Sequence, residues 1–204
     1  IIQMAPAFRP LLLTTLGLMS ALVGGWGGLN QTQLRKVLAY SSIAHMGWMI
    51  IILQYAPQLT LLTLLTYILM TSAAFLTLKL LYITKISTLA TAWSKNSLLT
   101  ATTALVLLSL GGLPPLTGFM PKWLILQEMV QQDLPLTATV MALTALISLY
   151  FYLRLCYTMT LTISPDIVTS ITPWRTQTNQ ASTPLALSTV LALGLLPITP
   201  TIMM

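Results

Sequence analysis

Charge is what this chain lacks most. Only twelve of its 204 residues are Asp, Glu, Lys or Arg, or 6%, against roughly 25% in soluble domains. So few charges cannot build a water-soluble surface. Acid is scarcer than base, with three Asp and Glu against nine Lys and Arg. The basic residues form no patch of the kind that binds nucleic acid, and they sit mostly at the ends of apolar runs. Cys156 is the single cysteine, which excludes an intrachain disulfide, a four-thiolate metal site and an iron–sulfur cluster. It is expected to pack as a small apolar residue. His45 is the single histidine, and no second histidine or mid-membrane carboxylate is present to complete a metal site with it. No Gly-rich dinucleotide loop follows a strand, so no NAD site is expected. The chain starts Ile1-Ile2-Gln3-Met4, without an initiator methionine or a basic signal-peptide region, as expected of a segment of a longer protein.

Apolar residues are abundant, at 56%, and they fall in blocks. A block of about twenty spans a hydrocarbon core of about 30 Å. The pattern predicts an all-α, polytopic membrane bundle in a single domain with about six spans: 8–23, 33–54, 60–82, 98–130, 137–161 and 185–203. The run Gly24-Gly25-Trp26-Gly27-Gly28 is expected to break the first, and Asn30 or Thr32 to cap the second. Pro57 separates the second from the third. A polar loop, 164–183, precedes the last, which carries Pro197 and Pro200 near its end.

Counting each block as one crossing sorts the charges. Arg35, Lys36, Lys79, Lys85, Lys95, Arg154 and Arg175 fall at one face, while Arg9, Glu128 and Asp133 fall opposite. Basic ends mark the side from which a membrane protein is inserted. That side is expected to be cytoplasmic, or the matrix side in a mitochondrion. Arg154, among interfacial tyrosines, is expected to reach the basic face. Reading 98–130 as two crossings would move Arg154 and Arg175 across and spoil the pattern, so one broken crossing is predicted.

The block 98–130 would measure about 50 Å as a continuous helix, too long for one straight span. Its break is written in Gly111-Gly112-Leu113-Pro114-Pro115-Leu116-Thr117-Gly118-Phe119-Met120-Pro121-Lys122-Trp123. Pro114, Pro115 and Pro121 remove donors and obstruct helix, and Gly111, Gly112 and Gly118 tolerate unusual backbone. Freed carbonyls at membrane depth need protein or internal water to satisfy them, and such half-helix ends recur at ion sites. Lys122 follows the break, where those carbonyls can hold its ammonium. Two readings stand: Lys122 reaches out to the interface, or it lies inside the bundle as a proton-accepting site.

His45 lies about 18 Å along its helix from Gln33, near mid-membrane. Ser41 and Ser42 precede it by four and three residues and share its face. Lys36, Tyr40 and Ser41 lead toward the same depth, forming a polar stripe suited to water and a proton relay. Histidine gives or takes a proton near neutral pH. The alternative is a neutral histidine bonded to a neighbouring helix.

The segments 27–48 (Gly-Gly-Leu-Asn-Gln-Thr-Gln-Leu-Arg-Lys-Val-Leu-Ala-Tyr-Ser-Ser-Ile-Ala-His-Met-Gly-Trp) and 108–123 (Leu-Ser-Leu-Gly-Gly-Leu-Pro-Pro-Leu-Thr-Gly-Phe-Met-Pro-Lys-Trp) resemble the vertebrate NADH-ubiquinone oxidoreductase chain 2 family, as does Tyr150-Phe151-Tyr152-Leu153-Arg154-Leu155. The resemblance runs through essentially the whole chain and about the last three-fifths of the family's length. It implies an antiporter-like core subunit of respiratory complex I in the mitochondrial inner membrane, built from two inverted five-helix repeats. This chain would be the second repeat and a closing helix, and the first repeat's membrane glutamate and lysines would lie upstream of Ile1. It implies a relay from His45 to Lys122, coupled to electron transfer elsewhere in the complex. NAD, FMN, iron–sulfur clusters and ubiquinone would belong to the whole assembly, with other membrane-arm subunits and lipid as partners. A free-standing cation/proton antiporter and a purely structural subunit are the rival readings.

Overall fold

The computed structural model describes residues 10–161 and 182–195, and the described residues form nine helices and no strand beyond one isolated bridge. Arg9, Arg175, most of the 164–183 loop and the tail beyond 195 lie outside them, as do Pro197 and Pro200. Among the described residues, three helices are long and apolar enough to cross a bilayer: Leu11–Leu29, Pro57–Leu81 and Pro135–Thr160. Leu16 and Met19 on the first, Leu61 and Ile68 on the second, and Leu143 and Leu146 on the third face outward. This is the inverse of a soluble surface and the pattern that lipid permits.

The first helix, α1 (Pro10–Leu29), runs straight through the glycine run that was expected to end it. The reason is packing against two neighbours, α2 (Leu34–Ile52) and α8 (Pro135–Thr160). A methyl at Gly24 would meet the Tyr40 carbonyl and the Ala44 amide of α2. Across the same seam, Gly47 of α2 sits against the Gly17 carbonyl. Gly25 and Gly28 face α8 instead, near Ile147 and Phe151. Small residues that let helix backbones approach are the usual adhesive of membrane bundles, and here that gain offsets poor helix propensity.

Neither Asn30 nor Thr32 caps α2. Gln33 stands at its N-terminus without a side-chain cap, and the chain is pinned by a backbone bridge. Leu34 N–H donates to the Thr84 carbonyl at 3.1 Å and Ile86 N–H to the Thr32 carbonyl at 3.2 Å. Pro57 begins α3 (Pro57–Leu81), where its missing donor costs nothing. Tyr82 ends it in the left-handed region at φ 53°. Two short helices, α4 (Ile86–Ala90) and α5 (Ala92–Lys95), cross the basic end and lead to α6 (Ser97–Gly111), which Asn96 caps by accepting from Leu99 N–H. The predicted break separates α6 from α7 (Phe119–Gln131), and α9 (Ser182–Gly194) packs on α3 and α6. Helices α6 and α7 are about 22 and 20 Å long, so each falls short of a full crossing.

The core is in two parts. One joins the start of α2 to the ends of α3 and α8, through residues such as Val37, Leu78 and Leu155. The other joins the end of α2 to the starts of α3 and α8 and to α7, through Ile51, Leu59, Ile125 and Met141. Between them along α2 and α3 lie Ser42, His45, Thr66 and Tyr67.

Candidate functional site

Helices α2, α3 and α8 cross this intermediate layer with polar side chains. Helix α2 contributes Ser41, Ser42 and His45, α3 contributes Thr63, Thr66 and Tyr67, and α8 contributes Thr144 and Ser148. Nearly all the hydroxyls donate to carbonyls one turn back in their own helices: Ser41 to Leu38 (2.7 Å), Ser42 to Ala39 (2.7 Å), Thr66 to Thr63 (3.0 Å), Thr144 to Met141 (2.8 Å) and Ser148 to Ala145 (2.7 Å). Their donors are thus satisfied, while oxygen lone pairs remain to accept from water or a cation.

The helix break delivers Lys122 to this layer. Gly112 adopts φ 83°, ψ 45°, its N–H donates to Ser109 at 2.9 Å, and Leu113 N–H returns to Leu108 at 3.5 Å. This is a Schellman ending, and it leaves the Gly111 carbonyl without a backbone partner. Lys122 supplies one: its Nζ donates to the Gly111 oxygen at 2.9 Å. A methyl on Gly112 would lie 3.1 Å from both Nζ and Cδ of Lys122, so the glycine makes room for the side chain. Pro114 and Pro115 are exposed in the turn. Pro121 does not break anything. It is the third residue of α7, within the first turn, where helix N–H groups have no partner to lose. Gly118 is buried against the Ser109 carbonyl, with no room for a Cβ. Thr117 and Ser109 hydroxyls reach the Ala192 carbonyl of α9, closing the far side of the break.

His45 and Lys122, both half-buried, line one cavity of about 30 Å³ with Thr63, Thr66, Tyr67 and Gly118. That is room for one or two waters. The His45 and Tyr67 rings lie 5.0 Å apart between centroids, and the Tyr67 hydroxyl faces Ser42. Among the described residues Lys122 has no carboxylate partner; Glu128, the nearest acid in sequence, accepts from Gln132 at 3.1 Å.

The structure does not gather the whole stripe. Lys36 is exposed in the first turn of α2, away from the cavity. The Tyr40 ring lies against Gly27 of α1, because it sits about 140° around the helix from His45. Sequence reasoning missed Tyr67 and Tyr152. The Tyr152 hydroxyl is buried facing Ser41 without completing a hydrogen bond. A tyrosine amid apolar residues far from either helix end was the available signal. Arg154 donates to the Leu29 carbonyl at 2.8 Å and so closes α1.

The profile of the NADH:quinone oxidoreductase/Mrp antiporter transmembrane region matches residues 2–148. The chain belongs to that family. The stretch that carries His45, Tyr67 and Lys122 is therefore antiporter-family sequence, and residues 149–203 match the C-terminus of NADH dehydrogenase subunit 2. Among curated relatives, NADH-ubiquinone oxidoreductase chain 2 of Carassius auratus is 77% identical over all of this chain and 58% of its own length. The Danio rerio chain 2 is 68% identical over all of this chain and 59% of its own. The chain thus spans under two-thirds of the relatives it matches. The antiporter-family fold is also seen in respiratory complex I from Thermus thermophilus with bound aureothin, at 31% identity and TM-score 0.77, over 96% of this chain and 45% of that one. The Mrp complex from Dietzia sp. DQ12-45-1b shares the fold at 13% identity and TM-score 0.73, over 97% and 46%.

Proposed function

We propose that this chain is the lysine-and-histidine half of a proton-translocating membrane subunit of respiratory complex I, in the mitochondrial inner membrane. The observation that carries the reading is the shared cavity of His45 and Lys122 at a helix break between two apolar cores. A lysine ammonium there is held by one carbonyl and has no counter-ion among the described residues. Its charge is therefore easily tipped by a charge arriving or leaving nearby, since fields act strongly at low dielectric. His45 passes protons to it through water in the cavity, with Tyr67 and the Ser42 hydroxyl beside the imidazole. Lys122 and His45 carry the proton step; Ser41 and Ser42 support it, Gly111, Gly112, Pro114, Pro115 and Gly118 shape the break, Pro121 sits in the first turn of α7, and Lys36 and Tyr40 stand outside the cavity. Electron transfer from NADH to ubiquinone occurs elsewhere in the assembly, whose other membrane-arm subunits are the partners, and this chain holds no redox cofactor. The basic ends, with Arg35, Lys36, Lys79 and Lys85, face the matrix, and six crossings place the C-terminus on the other side.

The test is proton pumping by the reconstituted complex carrying Lys122→Met. The variant assembles and pumping falls to background; pumping at the parent rate overturns the proposal. A stand-alone cation/proton antiporter is the second reading, favoured by the Mrp antiporters that share the family profile. Co-purification with NADH-oxidising activity decides against it, and its absence decides for it.

A further inference from the structure

A second cavity, of about 400 Å³, opens at the basic end between the start of α2 and the end of α3. Arg35 and Lys79 stand at its rim, one on each helix, and both are exposed. Leu38, Phe75, Leu78 and Ile83 form its walls. Leu38 is three residues into the membrane from Arg35, and Phe75 four residues in from Lys79. Cations and apolar wall are thus offset by one helical turn, about 5 Å along the membrane normal. The groove is braced: the Gln33–Lys85 bridge, with Leu34 N–H on Thr84 and Ile86 N–H on Thr32, fixes its floor. Neither cation has a carboxylate partner among the described residues, and the sequence holds no Asp or Glu before Glu128.

We propose that this groove binds one anionic phospholipid, its phosphate between Arg35 and Lys79 and the first methylenes of an acyl chain against Leu38 and Phe75. Basic pockets between helices at this face suit anionic headgroups. The apolar wall one turn deeper distinguishes a lipid from a free phosphate or an acidic loop, neither of which would fill it. The inference rests on the chain's place in a bilayer and is independent of the proton relay.

The complex containing the full-length protein, in nanodiscs of phosphatidylcholine with a minor share of phosphatidylglycerol bearing a photoreactive acyl chain, is irradiated and its peptides are mapped. Label is expected on the peptides spanning 34–38 and 75–83. Each basic residue near the membrane surface contributes about fivefold in affinity, so Arg35→Gln with Lys79→Gln lowers labelling roughly thirtyfold. Arg35→Lys with Lys79→Arg retains it, which separates charge from folding. Phe75→Ala, at an exposed position on α3, strips the apolar wall and also lowers the label. Equal labelling by a phosphatidylcholine probe, labelling unchanged in the double glutamine variant or in Phe75→Ala, or displacement by millimolar inorganic phosphate alone would each overturn the proposal. Loss of pumping in Lys122→Met with labelling intact leaves this site standing; the reverse result leaves the relay standing.

Discussion

The Gly111 carbonyl and the Lys122 ammonium define each other. A Schellman turn leaves that oxygen unpaired, and the lysine reaches it at 2.9 Å. If Lys122 acts only as a fixed positive charge, Lys122→Arg should pump. If it must release its proton, arginine fails, because guanidinium stays charged under any accessible condition. We expect pumping by Lys122→Arg to fall at least tenfold in the reconstituted complex with assembly retained, and parent-level pumping would show a purely electrostatic role. Tyr67 poses a finer question. Tyr67→Phe keeps the ring beside His45 and removes the hydroxyl that faces Ser42. A several-fold loss of pumping, of the order that one hydrogen-bonding group contributes, is expected; unchanged pumping makes the ring contact merely structural. His45 and Lys122 were legible in the sequence because titratable residues are rare in apolar blocks. Tyr67 and Tyr152 were not, because a tyrosine's apolar body and polar tip serve equally in a core or at an interface. Tyr40 leads toward the depth of His45 but on another face of α2, against Gly27, because depth along a helix does not fix the face.

At the scale of elements, the helix break was legible down to the residue, apart from Pro121. Two prolines and the glycine at a left-handed position leave the backbone no helical option. The glycine run in α1 was misread because its use is tertiary. Gly24 touches α2 while Gly25 meets only side-chain atoms of Ile147 and the Thr144 carbonyl at ordinary contact distance. The two neighbours therefore behave oppositely on substitution. Gly24→Ala is expected to separate α1 from α2 and cost about 2–3 kcal/mol, as overpacking does. Gly25→Ala is expected to be neutral or to gain up to about 1 kcal/mol from helix propensity. Thermal unfolding of the purified complex, read as release of this subunit, checks both; equal shifts would mean that the close approach at Gly24 is not what holds the pair. Gly112→Ala adds a different penalty, about 1–2 kcal/mol for a left-handed residue with a Cβ, and it presses on Lys122, so it should lower pumping as well as stability.

Across the whole molecule, two apolar cores enclose a polar layer, and this is the arrangement a proton path inside a membrane requires. In the proposed path, water and a proton enter at mid-depth and the cores above and below seal it. The layer was only half legible. Periodicity reveals that α2 carries polar residues, but the alignment of Thr63, Thr66 and Tyr67 with them depends on how far α3 slides along α2. That register is set by the Pro57 start, the Tyr82 end and the 33–85 bridge, and local pattern does not encode it. The same register fixes which loops share a face. The bridge puts Lys85 beside Gln33, Arg154 closes α1 at Leu29, and α7 runs away from this end toward Gln131. Lys85 and Gln132 should therefore lie on opposite sides of the membrane. In a Cys156→Ala background, Lys85→Cys is expected to react with an impermeant maleimide only from the matrix side of sealed inner-membrane vesicles, and Gln132→Cys only from the other. Labelling of both from one side would remove the broken crossing between them, and with it the placement of Lys122 at mid-membrane.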